Sequence, residues 1–200
     1  EETRRFNQAL PGIRSKIEHA LTTARGKDLL AAQVLYVLDQ TGYRIGGGED
    51  ELADKDAFGI TTITASHVTV NGDKVSFSFP GKKGQPLTKT IEDTRLATIV
   101  RNAKADARRG QPIFDVSASK VNAYLKDLSG QGFSAKDFRT WHGTAMAIIE
   151  IGKWKTKPRT EKEMLKRQRV VLDKVSSWLG NTRAVAKSSY VDPAVWEWWQ

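Results

Sequence analysis

Between Val68 and Ile91 the apolar residues change their spacing. Val68 and Val70 alternate with polar residues, Asn71-Gly72 follows, and Val75, Phe77 and Phe79 alternate again. A period of two puts such side chains on one face of an extended chain. Asn-Gly between two such runs is the strongest short signal for a hairpin. Pro80-Gly81-Lys82-Lys83-Gly84 marks a second turn, and Leu87–Ile91 can return as a third strand. Elsewhere the spacing is helical. Ile13, Ile17, Ala20, Leu21 and Ala24 predict a helix over Pro11–Ala24, with Pro11 in its first turn and Gly26 ending it. Asp28 reads as the N-cap of a second helix through Leu29, Val34, Leu35, Val37 and Leu38. Gly42, Gly46, Gly47 and Gly48 break the chain, and Glu49, Asp50, Glu51, Asp54 and Asp56 read as a solvated loop. Further helices are expected at about 94–108, 118–128, 134–152, 159–179, 182–189 and 193–199. The expected class is α+β, mostly helical with one small antiparallel sheet. A single domain of 200 residues would divide into a helical part (1–57), a β-hairpin region (58–92) and a second helical part (93–200).

Charge narrows the partners. The chain holds 32 Lys+Arg against 23 Asp+Glu, a net charge of +9. The excess concentrates in residues 151–190, which carry eleven Lys/Arg and three Asp/Glu. Such a balance favours a polyanion, most often nucleic acid, though a solvated basic helix face has the same composition. The absence of cysteine removes disulfides, thiol nucleophiles and Cys-ligated zinc. Three widely spaced histidines (His19, His67, His142) offer no HExxH, and no GxxxxGK[ST] loop or GxSxG elbow is present. No metal and no cofactor is expected. No apolar run approaches the roughly 18 residues of a membrane span, so no membrane partner is expected. The start at Glu1, without an initiator Met, suggests an excised segment.

Six local motifs occur in order: Thr41-Gly42-Tyr43-Arg44-Ile45-Gly46, Phe58-Gly59-Ile60-Thr61-Thr62, Phe77-Ser78-Phe79-Pro80-Gly81-Lys82, Lys136-Asp137-Phe138-Arg139-Thr140-Trp141, Leu179-Gly180-Asn181-Thr182 and Ser188-Ser189-Tyr190-Val191-Asp192-Pro193. Together they resemble the type IB DNA topoisomerases of the poxvirus and bacterial kind, over residues 10 to 195. The resemblance implies a catalytic domain acting as a monomer on duplex DNA. One strand would be cut through a 3′-phosphotyrosyl intermediate, rotated and religated, without ATP or metal. It makes Tyr190 the nucleophile, Arg44 and Arg139 the cations that neutralise the non-bridging oxygens, and Lys82 the general acid for the 5′-oxygen. In many relatives a His stands nine residues before the Tyr; here that position is Asn181, which donates a hydrogen bond but does not titrate. The resemblance also implies a β-rich N-terminal clamp domain, which nothing before residue 10 supplies, and, for a bacterial source, a place at the nucleoid in the cytoplasm.

The chemistry requires these residue types. Attack on a phosphodiester develops charge on oxygens that a permanently charged, forked guanidinium can neutralise. A phenol with a pKa of about 10 is mostly neutral at pH 7, a mismatch worth roughly 4 kcal/mol, so a cationic pocket must help the phenolate form.

Each residue also has a plainer reading. Arg44 can neutralise the acidic loop, Arg139 can pair with Asp137 on a helix surface, and Asn181 can cap a helix after Gly180. Lys82 and Lys83 are adjacent, and strand alternation would put them on opposite faces, leaving the general acid open between them. Arg183 and Lys187 share a helical face with Tyr190 and, with Lys83, Lys136, His67 and His142, are candidate DNA contacts or structural residues. Trp196, Trp198 and Trp199 fit a C-terminal helix docking on the core. Two other functions share much of this pattern. A tyrosine recombinase has similar chemistry but carries HxxR and Leu-Gly-His where this chain has Lys136-x-x-Arg139 and Leu179-Gly180-Asn181, and it assembles as a tetramer. A non-catalytic DNA-binding module would bind with a steep salt dependence and form no adduct.

Overall fold

The computed structural model describes residues 1–47 and 57–199; the acidic stretch from Glu49 to Asp56 lies outside the described residues. Helix α1 (Glu2–Thr23) begins nine residues before Pro11, which therefore sits inside the helix and not in its first turn. The apolar stripe explains this: Phe6, Leu10, Ile13, Ile17 and Ala20 recur every three or four residues and are all buried. Pro11 stands on the exposed face, where its fixed φ suits a helix and the lost N–H costs one bond. Helix α2 (Gly26–Thr41) starts three residues earlier than expected, with Arg25 and not Asp28 at the N-cap. Asp28 lies in its first turn, where a carboxylate faces the positive helix end, and pairs with Lys120 at 2.6 Å.

The sheet has the order β1-β2-β3, all antiparallel: β1 (Val68–Asn71), β2 (Lys74–Pro80) and β3 (Pro86–Glu92). Asn71 pairs with Lys74, so the two-residue hairpin loop is Gly72-Asp73, one position beyond the Asn-Gly reading, with Gly72 at φ 57°. Five helices follow close to their expected limits, and a sixth ends the described chain: α3 (Thr94–Asp106), α4 (Ala118–Ser129), α5 (Ala135–Ile151), α6 (Glu161–Leu179), α7 (Arg183–Ser189) and α8 (Ala194–Trp199). The α+β expectation holds. No helix among the described residues is long and apolar enough to cross a membrane.

Two apolar clusters result. The larger joins α1 to α4, the sheet and the first turns of α5, around Phe6, Leu35, Phe77, Phe114 and Phe138. The smaller joins the end of α5 to α6, α7 and α8, around Ala147, Val171, Val175, Tyr190, Trp196 and Trp199. Trp196 and Trp199 are buried in the docked C-terminal helix, whereas Trp198 is exposed. Helix α5 contributes to both clusters, and the candidate site lies where they meet.

Candidate active site

Helix α2 ends at Gly42, which adopts φ 65°. A β-carbon there would fall 2.1 Å from the Trp178 ring, so both the turn and the close approach require glycine. Tyr43 is buried beneath, and Arg44 emerges at the end of the turn. The Phe58–Thr62 motif holds this loop. Ile60 N–H donates to the Arg44 carbonyl at 3.0 Å, and Thr61 N–H to that of Ile45 at 2.8 Å. Gly59 packs so closely that its β-carbon would meet the Gly46 nitrogen at 2.4 Å. Phe58 N–H donates to the Pro80 carbonyl at 2.9 Å, tying the same segment to the turn that carries Lys82. Lys82–Gly84 is a short 3-10 turn, so strand alternation does not separate Lys82 from Lys83. Lys82 lines the pocket described below.

Arg139 stands one turn into α5 and is only 3% exposed. It is not a surface partner of Asp137. That carboxylate belongs to the helix cap, accepting from the Ser134 N–H at 2.7 Å and from its hydroxyl at 3.1 Å. Arg139 instead donates to the Gly42 carbonyl and, at 3.1 Å, to that of Leu179; its Nε is buried without a partner. The guanidinium thus joins the C-terminal ends of α2 and α6, where helix carbonyls lack internal donors.

Tyr190 caps the C-terminus of α7 and is 6% exposed. Thr144 of α5 accepts from the Asp192 N–H at 3.0 Å and fixes the chain just beyond it. The Tyr190 hydroxyl is 3.4 Å from Arg44 Nη1, and the Arg139 guanidinium carbon lies 4.6 Å from the ring centre. Burial alone would push this phenol up. Arg139, Arg44 and Lys136 overcome that and hold it below its ordinary value. Burial lowers the Arg139 pKa; Tyr190 opposes that and Arg44 adds to it.

Arg44, Lys82, Lys136, Arg139 and Tyr190 line one cavity of about 410 Å³, together with Gly46, Gly47, Ser119 and Asn122. Four cations and no carboxylate among the described lining residues make it complementary to an anion. Among the described residues no cluster of three or more His, Asp or Glu is placed to hold a metal ion.

The structure does not bring His67, His142, Arg183, Lys187 or Asn181 into this cavity. His67 faces Phe58 and accepts from the Thr64 N–H at 3.1 Å through Nδ1. His142 lies between Trp141 and Trp178 with Nε2 2.6 Å from the Asp39 carbonyl. Arg183 pairs with Asp173 at 3.2 Å, and Lys187 donates to Gln168 at 3.0 Å, both along α6. Asn181 is not the cap of α7: Thr182 is, accepting from the Val185 N–H. The Asn181 amide is buried with neither its oxygen nor its nitrogen partnered, in a cleft it shares with Tyr43, Lys89 and Trp178. Gly143 and Thr144, which seat the Tyr190 segment on α5, escaped the sequence reading. A glycine inside a helix costs about 1 kcal/mol against alanine, and that is the signal that marks Gly143 as a packing position.

Residues 1–195 match the family described as the eukaryotic DNA topoisomerase I catalytic core. The chain belongs to that family. It is also similar to the DNA topoisomerase 1B of Acanthamoeba polyphaga mimivirus, 26% identical over 212 residues, covering 95% of this chain and 62% of that protein. The chain therefore spans less than two thirds of the relative's length. The six motifs resemble the same group, and a topoisomerase I catalytic core accounts for their order along the chain.

Proposed function

We propose that this chain cleaves one strand of duplex DNA through Tyr190, holds a 3′-phosphotyrosyl link while the duplex rotates, and religates it, acting as a monomer. The observation that carries this reading is the Tyr190 hydroxyl, 3.4 Å from Arg44 in a cavity lined by four cations. The Tyr190 oxygen attacks phosphorus and its proton leaves to solvent. The P–O5′ bond breaks, and Lys82 gives the departing 5′-oxygen a proton. Arg44 and Arg139 stabilise the charge on the non-bridging oxygens, which is largest in the transition state. The phosphodiester exchanged for a phosphotyrosyl ester is similar in energy, so the 5′-hydroxyl can reverse the step; neither ATP nor metal enters this scheme.

The test is incubation with a nicked or short-tailed duplex in EDTA without ATP, read on a denaturing gel. A covalent adduct in the wild type that Tyr190→Phe does not form is the expected result. DNA binding with no adduct on any duplex overturns the reading and favours a binding module. Relaxation of supercoiled plasmid by a monomer, and not a tetramer, separates the proposal from a recombinase.

A further inference from the structure

Lys89 is a lysine on an inward position of a strand. In β3 it shares a face with Leu87 and Ile91, and it pairs across the sheet with buried Phe77. Its ammonium donates to the Thr41 carbonyl at 2.5 Å and to the Trp178 carbonyl at 3.0 Å. It lies 3.6 Å from the centre of the Trp178 ring and 4.9 Å from that of Tyr43. Arg139 bonds the next carbonyl on each of the same segments, Gly42 and Leu179. Two cations therefore clasp four consecutive-pair carbonyls at the C-terminal ends of α2 and α6. Arg44 follows two residues beyond one end, and Asn181 two residues beyond the other. We propose that Lys89 is a positioning residue of this site, holding the ends of α2 and α6 together so that Arg44 and Arg139 stay aligned on Tyr190.

The proposal rests on the strand-cleavage reading for its kinetic readout but not for its spectroscopic one. With Lys89 present, each cation serves one carbonyl from each helix end, and Arg139 keeps its Nε uncommitted. Without it, the Thr41 and Trp178 carbonyls lose their donor, and the two helix ends, both negative poles, repel. Among the described residues, the charged and titratable groups facing the ammonium are Arg139 from α5 and the neutral Tyr43 phenol, with Glu150 and Lys174 along the shallow cleft beside it. Tyr190 in turn is faced by Arg139, Arg44 and Lys136.

The test uses Lys89→Met, which keeps the length and apolar stem, and Lys89→Arg, whose fork can reach both carbonyls. Single-turnover cleavage of the suicide duplex, anisotropy of a labelled duplex, and ultraviolet titration of Tyr190 against Tyr190→Phe in each background are measured. Lys89→Met should bind DNA within about two-fold of wild type and cleave about ten-fold more slowly, the scale of a small misplacement of reacting groups. Its Tyr190 should titrate at higher pH, and Lys89→Arg should restore both. A wild-type cleavage rate in Lys89→Met, an unmoved Tyr190 titration, or loss of binding and cleavage together overturns the proposal. Should Lys89→Met fail to fold, Lys89→Gln, which keeps a donor without the charge, should cleave at a rate between that of wild type and a loss of about ten-fold, with Tyr190 titrating at higher pH; a wild-type rate with an unmoved titration overturns the proposal. If the wild type forms no adduct, the cleavage reading fails, and the Tyr190 titration alone decides the role of Lys89.

Discussion

The main-chain carbonyl oxygen of Tyr190 lies 2.3 Å from the point that a β-carbon on Gly143 would occupy. The segment bearing Tyr190 is therefore seated directly on the backbone of α5, one turn beyond Arg139. Its height above that helix is set by the absence of a side chain.

Gly143→Ala tests this seat. Alanine favours the helix by about 1 kcal/mol, but the overlap forces the Tyr190 backbone outward at a cost of about 1–3 kcal/mol. Stability should change little or fall, while single-turnover cleavage drops by about ten-fold or more with duplex affinity retained. A wild-type cleavage rate in the folded variant would show that the seat does not set the reach of Tyr190.

The Tyr190 titration sets one limb of the pH–rate profile. Deprotonation supplies the nucleophile, so cleavage should rise with pH along a limb below the ordinary phenol value of about 10, because Arg139, Arg44 and Lys136 outweigh burial. Arg44→Gln removes one of those charges and should move the limb to higher pH. An unmoved limb in a variant that still cleaves would assign the limb to another group.

Lys89 makes stability depend on pH. Burial, with a contribution from Arg139, pushes its pKa down to about 7. The unfolded chain keeps that proton to about pH 10. Between those values the unfolded state binds the extra proton, so stability should rise as pH rises through this window, and the full cost is felt below it. Denaturant midpoints between pH 6 and 10 should show the rise, and Lys89→Met should flatten it.

Asn181 carries an unpaid desolvation cost in its two unpartnered amide atoms. Asn181→Ala should leave the unfolding midpoint unchanged or raised. Cleavage should fall by about 100-fold if the amide turns to a non-bridging oxygen in the transition state, the usual cost of one such donor. Loss of stability with unchanged cleavage would make it a structural residue.

Much of this architecture is visible in local pattern. The limits of α5 and α6 follow from apolar periodicity and from caps at Ser134 and Thr160, because both signals lie within a few residues of the ends they define. Arg44, Lys82, Arg139 and Tyr190 are singled out by the resemblance of their six motifs to the type IB topoisomerases; composition and periodicity alone do not mark them. What escaped depends on distant chain. Pro11 reads as a helix start until Phe6, five residues before it, is seen packed edge-on against Phe133 and Phe138, with Leu10 buried in the same core. Asp137 stands only two residues before Arg139, which puts the two on different sides of the helix, and the N-cap Ser134 claims its carboxylate. Lys89 meets carbonyls 48 and 89 positions away, and alternation in β3 marks it only as a charge on the wrong face.

On the proposed reaction, the joint between the two apolar clusters is a mechanical element. The broken strand is tethered through Tyr190 to the smaller cluster, while the hairpin and the neighbours of Arg44, Tyr43 and Ile45, belong to the larger. Torque from a rotating duplex enters the protein at one body, and part of it crosses to the other through the carbonyls of Thr41, Gly42, Trp178 and Leu179 on two side-chain cations. Polar contacts of this kind are stiff in direction yet short in reach. The friction felt by the turning DNA would then be tuned by two basic side chains, one of which changes charge near neutral pH.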